Sequence, residues 1–295
     1  MASNLENLKA SVAVVIPTLN RHHLLRELLS ELVNQEVAPE QVIVVDASDK
    51  PFKINSCQGR IKVISSSIRS AAVQRNLGIQ QLKESDAKIE FIAFLDDDVK
   101  PSPSYLRLLC QALIENPDAV GVSGLAIGTN EKPRRKSNIL KILKLIGGEG
   151  SLSPAGVNIP IRNNKGITEA EWLIGCSLWR YSMINDLQFE ADFDGQSVFE
   201  DVIFSMRAAR RGRLLVDPQV RFDHLLAVES RPNSFQHYRS WVRNRYRLKT
   251  IFPEKIDIWR FVTFNALMLL SLTVRAHFSG ALGIVFGSYD LLRKR

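Results

Sequence analysis

Four apolar runs spaced through the first hundred positions, with helical patterns between them, narrow the fold more than any other feature of this chain. Val12 to Ile16 is closed by Pro17, Gln41 to Val45 ends in Asp46, Ile61 to Ile64 follows, and Phe91 to Leu95 runs into Asp96-Asp97-Asp98. Runs without polar alternation read as strands buried on both faces. Between them Leu24, Leu25, Leu28, Leu29 and Leu32 recur at helical spacing, and Ser70 to Leu82 reads as a second helix. Alternation of this kind builds an α/β fold around a parallel sheet with right-handed crossovers. Such sheets bind ligands beyond the carboxyl ends of their strands. Pro17-Thr18-Leu19-Asn20, Asp46-Ala47-Ser48-Asp49 and the aspartate triplet all fall at those ends.

Three adjacent carboxylates repel one another, which raises their pKa values unless a cation intervenes. Oxygen ligands suit hard divalent ions such as Mg²⁺ or Mn²⁺, which keep positions free for phosphate oxygens. A solvated acidic turn before Pro101 is the plainer alternative. In the second half, Ser102-Pro103 predicts a helix start with Ser as N-cap and Pro at the first position. Leu106, Leu109 and Leu113 supply the buried face of that helix. Gly121 to Gly128 reads as a strand and Asn130 to Thr168 as loop, rich in Gly, Pro and Lys. A strand-like Trp172 to Trp179 follows, then a helix from Glu200 to Arg211 stopped by Gly212. Two short strands, Arg213 to Val216 and Val220 to Phe222, close this half.

A chain of 295 residues with 45% hydrophobic content has enough apolar surface for one large core or two fused ones. Cys57, Cys110 and Cys176 form no C-x-x-C pair, which argues against a zinc site or disulfide framework and fits a reducing compartment. Met1 to Ala10 lacks the pattern of a secretory signal. The formal net charge of +8 is unevenly placed: Leu226 to Arg295 holds twelve Lys/Arg and four Asp/Glu, and the remainder holds 27 of each sign. The C-terminal quarter therefore calls for an anionic partner, and charge alone does not choose among lipid, nucleic acid and polyanionic substrate.

The ordered set Val15-Ile16-Pro17-Thr18-Leu19-Asn20-Arg21, Val44-Val45-Asp46, Arg75-Asn76-Leu77-Gly78, Phe94-Leu95-Asp96-Asp97-Asp98 and Phe199-Glu200-Asp201 resembles the family 2 glycosyltransferases, spanning roughly residues 11 to 225. The resemblance implies the GT-A fold, a Rossmann-like mixed sheet flanked by helices. Residues 1–225 would be the transferase domain, with about 1–100 binding nucleotide and 101–225 carrying acceptor and catalysis. Residues 226–295 would be a basic, helical C-terminal segment. The activity implied is metal-dependent and inverting: a sugar passes from a nucleoside diphosphate donor to a hydroxyl of a saccharide or lipid-linked acceptor. Pro17, Thr18 and Asn20 would line the nucleoside pocket, and Asp46 would accept a hydrogen bond from the base. Ala47 replaces the second acid that many relatives carry there, which leaves base selectivity open. Arg75 would approach the nucleotide, although an arginine on a helix also serves in ordinary salt bridges.

In the same resemblance Asp98 is the direct metal ligand, Asp96 acts through water or the ribose, Asp97 completes the field, and His224 closes the metal site. Imidazole suits Mn²⁺ better than Mg²⁺. Asp201 would be the base that takes the acceptor proton, with Glu200 the fallback; acids at a helix N-terminus are also favoured by its dipole. Gly175, Cys176 and Arg180 would form the acceptor side, where glycine permits close backbone approach. Trp172 and Trp179 could stack on a sugar or belong to the core.

Two segments bear on membranes. Ser137 to Ile146 sets six apolar residues around Lys141 and Lys144 after Lys132-Pro133-Arg134-Arg135-Lys136, the pattern of an interfacial helix or a lid. Phe261 to Val274 is uncharged and too short to span a bilayer. With Arg239, Arg243, Arg245, Arg247 and Lys249 before it and Arg293-Lys294-Arg295 after the last helix, it fits either peripheral attachment to an anionic membrane face or a homo-oligomer interface. The setting expected is cytoplasmic, at the inner membrane face in the first case. A nucleotidyltransferase is disfavoured, since Pro17 to His23 contains no glycine for a phosphate loop. A non-catalytic nucleotide-sugar, membrane or nucleic-acid binding module would leave Asp96, Asp98, Asp201 and His224 without a task, so no nucleic-acid partner is expected.

Overall fold

The strands β1 (Val12–Thr18), β2 (Gln41–Asp46), β3 (Ile61–Ser65) and β4 (Phe91–Phe94) form a parallel set in the order β3-β2-β1-β4. The computed structural model describes residues 9–53, 59–85, 87–127, 138–162, 165–193, 198–225 and 233–293. Every residue of β1 is buried because both of its faces are covered. Val12, Val14 and Ile16 meet Leu25, Leu28 and Leu32 of α1 (His22–Val33), and Ala13 and Val15 meet Ala72 and Ile79 of α2 (Ala71–Lys83). A side chain at Gly78 would lie 2.3 Å from the Val15 side chain, so this glycine lets α2 press on the sheet.

The sheet becomes mixed beyond β4. Strand β5 (Val99–Pro101), helix α3 (Tyr105–Glu115), β6 (Ala119–Ile127), α4 (Asn138–Ile142), β7 (Thr168–Ala170), β8 (Ser177–Arg180) and α5 (Tyr181–Ile184) lead to α6 (Glu200–Ala208) and β9 (Arg213–His224). The nine-stranded order is β3-β2-β1-β4-β8-β6-β9-β5, with β7 also on β9. β8 runs antiparallel to β4 and β6, β6 parallel to β9, and β5 antiparallel to β9. α3 covers the α1 face of the sheet and α6 the α2 face.

Several expectations are corrected here. α3 starts at Tyr105 with Ser104 at its N-cap, rather than at Pro103 with Ser102 as cap, and Gln35 satisfies this end: Gln35 Nε2 donates to Ser102 O at 2.7 Å and Oε1 accepts from Leu106 N at 3.0 Å. The two short strands after Gly212 are one strand, β9. Asp217-Pro218 falls within a shift of its register against β6, where the missing proline N–H breaks no ladder bond. Of Trp172 to Trp179, only Ser177 to Trp179 lies in a strand; the Leu173 amide is drawn off to Ser205 Oγ of α6 at 3.0 Å. α6 ends at Ala208, and Gly212 follows a turn.

Three helices close the chain: α7 (Ser234–Ile251), α8 (Ile258–Val274) and α9 (Phe278–Arg293). Asn233 and Asp257 cap the first two by accepting from Gln236 N and Arg260 N. Their core joins Val202, Ile203 and Met206 of α6 to Val242, Phe261 and Ile284. The α7 bases engage neighbours while staying partly exposed, Arg245 excepted. Arg239 pairs with Asp290 at 2.7 Å, Arg247 with Glu190 at 3.2 Å, and Arg243 lies 3.7 Å from Asp290. Arg245 is fully buried against Trp241, Phe261 and Phe264, donates to Asn265 Oδ1 and Ala155 O, and is lowered by burial to about 9. The Lys132 to Lys136 run, Cys57 and Lys294-Arg295 lie outside the described residues.

Candidate active site

The carboxyl ends of β1, β2 and β4 converge on one edge, as parallel register requires: Thr18 pairs with Asp46, and β4 leads directly into the triplet. Gln74 of α2 fastens this edge, donating through Nε2 to Thr18 O at 2.9 Å and to Val45 O at 2.6 Å. Pro17 and Thr18 are buried, and Thr18 Oγ1 donates to Asp97 Oδ2 at 2.7 Å. Asn20, in the left-handed region at φ 56°, donates through its amide to Ser48 Oγ at 2.7 Å and exchanges side-chain bonds with Asp49. Asp46 is buried and accepts from the amides of Ser48 at 2.9 Å and Phe52 at 2.6 Å. Asn20 and Asp46 thus shape the same loop at the carboxyl ends of β1 and β2.

Asp97 has more to do than its expected place in the field. It holds Thr18 and, through Oδ1, the Arg21 guanidinium at 3.0 Å, while burial pushes its carboxyl up to about 6. Arg21 also reaches Asp98 Oδ2 at 3.3 Å. Sequence reasoning assigned Arg21 no task, although it stands at the end of the first quoted motif.

The pairing of β5 with β9 sets Val99 opposite His224, and Leu225 N donates to Asp98 O at 2.9 Å. A histidine 126 positions downstream thereby meets the triplet: His224 Nε2 is 3.2 Å from Asp98 Oδ1. Asp96, Asp98 and His224 each offer a ligand atom within 4.8 Å of the others. Two carboxylate oxygens and one imidazole nitrogen are a donor set that fits a divalent ion.

Arg75 ties this cluster to α6. Its Nη2 lies 2.6 Å from Asp96 Oδ1 and its Nη1 2.5 Å from Glu200 Oε1, with the guanidinium carbon 5.3 Å from the Phe189 ring centre. Rather than lying open as a nucleotide contact, Arg75 is buried as a bridge between two acids, whose charges raise its pKa against the cost of burial. Glu200 is pushed up by burial despite that partner, and its Oε2 has no hydrogen bond among the described residues. Asp201, half-buried, is raised to about 6 by burial and accepts from Val202 N at 2.8 Å. Phe199 before them stands at φ 80°, a strained conformation for a bulky residue, which turns the chain so that both acids open α6 at the site.

A cavity of about 290 Å³ joins these groups: Asp96, Asp201 and His224 line it with Trp172, Gly175 and Arg162. A side chain at Gly175 would come within 3.1 Å of Arg75 Nη2 and 3.5 Å of Asp96 Oδ2, so this glycine lets the backbone pass close to both groups. Cys176 also borders the cavity, but its thiol is buried and held well above its usual pKa. Trp172 is buried at the cavity wall, whereas Trp179 packs in the core against Phe204. Arg180 does not join the site. β8 is antiparallel to β4, so Arg180 sits opposite Phe91 at the far end and donates to Ala119 O at 2.8 Å.

The sequence model of glycosyl transferase family 2 matches residues 13–167. Glucosyl-dolichyl phosphate glucuronosyltransferase of Haloferax volcanii is 27% identical over 125 residues, 41% of this chain and 39% of that protein. The chain thus spans well under half the length of that relative. Among solved structures, mannosyltransferase PcManGT from Pyrobaculum calidifontis, in complex with GDP-Man and Mn²⁺, aligns over 98% of this chain and 89% of its own, with 15% identity and a TM-score of 0.57. S. aureus TarS aligns over 81% of this chain and 39% of its own, with 17% identity and a TM-score of 0.52. The mixed sheet with flanking helices is the GT-A fold.

Proposed function

The chain belongs to glycosyl transferase family 2, and from that premise we propose a metal-dependent, inverting transfer of a sugar from a nucleoside diphosphate to an acceptor hydroxyl. One observation carries this reading: the Asp96, Asp98 and His224 cluster shares a cavity with Asp201. Those three residues would hold the ion, Mn²⁺ ahead of Mg²⁺ given the imidazole ligand. When bound, such an ion stabilises the negative charge that a departing diphosphate gains. The loops of Pro17, Thr18, Asn20 and Asp46 form the nucleoside side. Asp201 takes the acceptor proton from across the cavity; a carboxyl raised to about 6 is mostly ionised at neutral pH and more basic than an exposed one. Glu200 and Arg75 hold Asp96 and the start of α6 in fixed relation, a positioning role.

The transferase unit proposed is 1–225, with the donor half at about 1–100, the acceptor half at 101–225 and 226–295 as a helical buttress. The acceptor would be a lipid-linked saccharide ahead of a free one, in the assembly of a surface polysaccharide or glycolipid on the cytoplasmic side. The Haloferax relative's name supports the lipid link, and the neighbour holding GDP-Man and Mn²⁺ supports the donor and ion classes. Turnover of UDP, GDP, dTDP and CDP sugars with and without Mn²⁺ tests the proposal. One donor class should turn over only with the ion, and Asp201→Asn should abolish that turnover. No turnover of any donor by the wild type would favour a non-catalytic binding module.

A further inference from the structure

The second and third C-terminal helices turn apolar stripes outward that the transfer reaction does not use. On α8 the exposed positions Trp259, Leu270 and Val274 recur at helical spacing, with Trp259 and Val274 each 77% exposed. On α9 Phe278, Leu282 and Leu292 do the same, at 63%, 52% and 70%. α8 and α9 pack on each other across a short turn, which sets these exposed residues on one helical pair. α4 extends the surface: Leu145 beyond it packs with Phe264 of α8, Arg260 Nε donates to Leu143 O at 3.3 Å, and Ile142 is 78% exposed. Scattered exposed apolar residues are ordinary, whereas stripes on three elements that pack together form a patch that water does not favour.

Charge chooses the occupant. Ile258 to Tyr289 contains no acidic residue, and the charged residues there are Arg275 and Arg260, the latter also paired with Asp257 at the cap of α8 at 3.3 Å. α4 and the turn after it add exposed Lys141 and Lys144 and no acid. A second copy of this face would set like charges against each other, while an anionic lipid surface complements them. No helix among the described residues is long and apolar enough to cross a membrane. Helices of 17 and 16 residues that bury one apolar face and expose another suit a position along the membrane surface. Trp259 and Tyr289 are exposed on α8 and α9, residue types favoured at that depth. We infer that the outer faces of α8 and α9, extended by α4, dock this protein on an anionic bilayer surface. The arginines of α7 are already engaged, Arg239 with Asp290, Arg247 with Glu190 and buried Arg245 with Ala155 O, and so are less available to lipid than Lys141, Lys144 and Arg275. The docking face is continuous with the active site through one segment: Pro154 O accepts from Asp257 N at the cap of α8, and Pro160 to Arg162 line the cavity.

The test uses the full chain with vesicles of phosphatidylcholine alone and of phosphatidylcholine with phosphatidylglycerol. Flotation should recover the protein with the anionic vesicles, less so as salt rises, and Trp259 emission should shift to the blue. The variant Trp259→Ser/Leu270→Ser/Phe278→Ser alters exposed side chains and should keep the wild-type melting temperature and donor hydrolysis. It should lose roughly tenfold or more in vesicle partition, since each buried methylene contributes to binding. Lys141→Glu/Arg275→Glu should lose the preference for phosphatidylglycerol. The inference is overturned if the wild type fails to bind anionic vesicles at low salt, or if the serine variant binds as well as wild type. It is equally overturned by a lipid-free dimer that the serine substitutions dissociate, which would assign the face to a second copy. Unchanged hydrolysis in the serine variant separates any of these results from a failure of the transfer reading.

Discussion

Asp201 carries the two features a base needs here, an open cavity in front of it and a carboxyl raised to about 6. The free enzyme should therefore lose kcat/KM tenfold per unit as pH falls below about 6, a limb measurable with saturating Mn²⁺. Asp201→Asn should retain donor binding by calorimetry and lose transfer. The same substitution should stabilise the fold. A folded-state pKa above the unfolded value means that the native state binds the extra proton, so stability is lost as pH rises from about 4 to about 6. Removing that half-buried charge should raise stability by about 1–3 kcal/mol at pH 7 and leave it unchanged near pH 4, as urea titrations at the two values would report. That Asp96, Asp98, Asp201 and His224 would lie together was legible from the order of their motifs along the chain, and the fold brings them to one cluster and cavity. Arg75 was legible as a residue but not in its task, since nothing local to α2 announces a partner 125 positions away. Arg180 misled because the direction of β8, antiparallel to β4, cannot be read from its own residues.

At the scale of elements, the strands that deliver the site are fixed by side chains reaching across the fold. Gln35, at the end of α1, caps α3 from a distance and so anchors the segment that follows the triplet. Gln35→Ala should lower stability by about 1–2 kcal/mol, measured by urea unfolding, and leave the Mn²⁺ dependence of binding intact. A full-size loss of metal dependence would show that the cap also sets the triplet. Apolar runs disclosed β1 to β4 because strands buried on both faces need no alternation. β5 escaped notice because three residues, one of them proline, carry no strand pattern; their pairing with β9 makes the strand. The single β9 looked like two strands for the opposite reason, an Asp-Pro pair that marks a turn elsewhere and here occupies a shift in register.

Across the whole molecule, the helices after residue 233 are bound to α6 through a shared core. Val202, Ile203 and Met206 of the helix that begins with Glu200 and Asp201 pack on Val242, Phe261 and Ile284. The change of composition near residue 225 is a change of surface chemistry, and packing crosses it. A chain truncated after Leu225 should therefore expose that core, bind a hydrophobic dye and lose the cooperative melt of the full chain. A normal melt would make the C-terminal helices an independent addition. The central claim is that Asp96, Asp98 and His224 bind a nucleoside diphosphate through a divalent ion beside Asp201. Calorimetric titration of the nucleoside diphosphate of the active donor, with and without Mn²⁺, into wild type and Asp98→Ala tests it most directly. The account predicts binding by wild type only when Mn²⁺ is present and none by Asp98→Ala; equal, ion-independent binding by both proteins would contradict it.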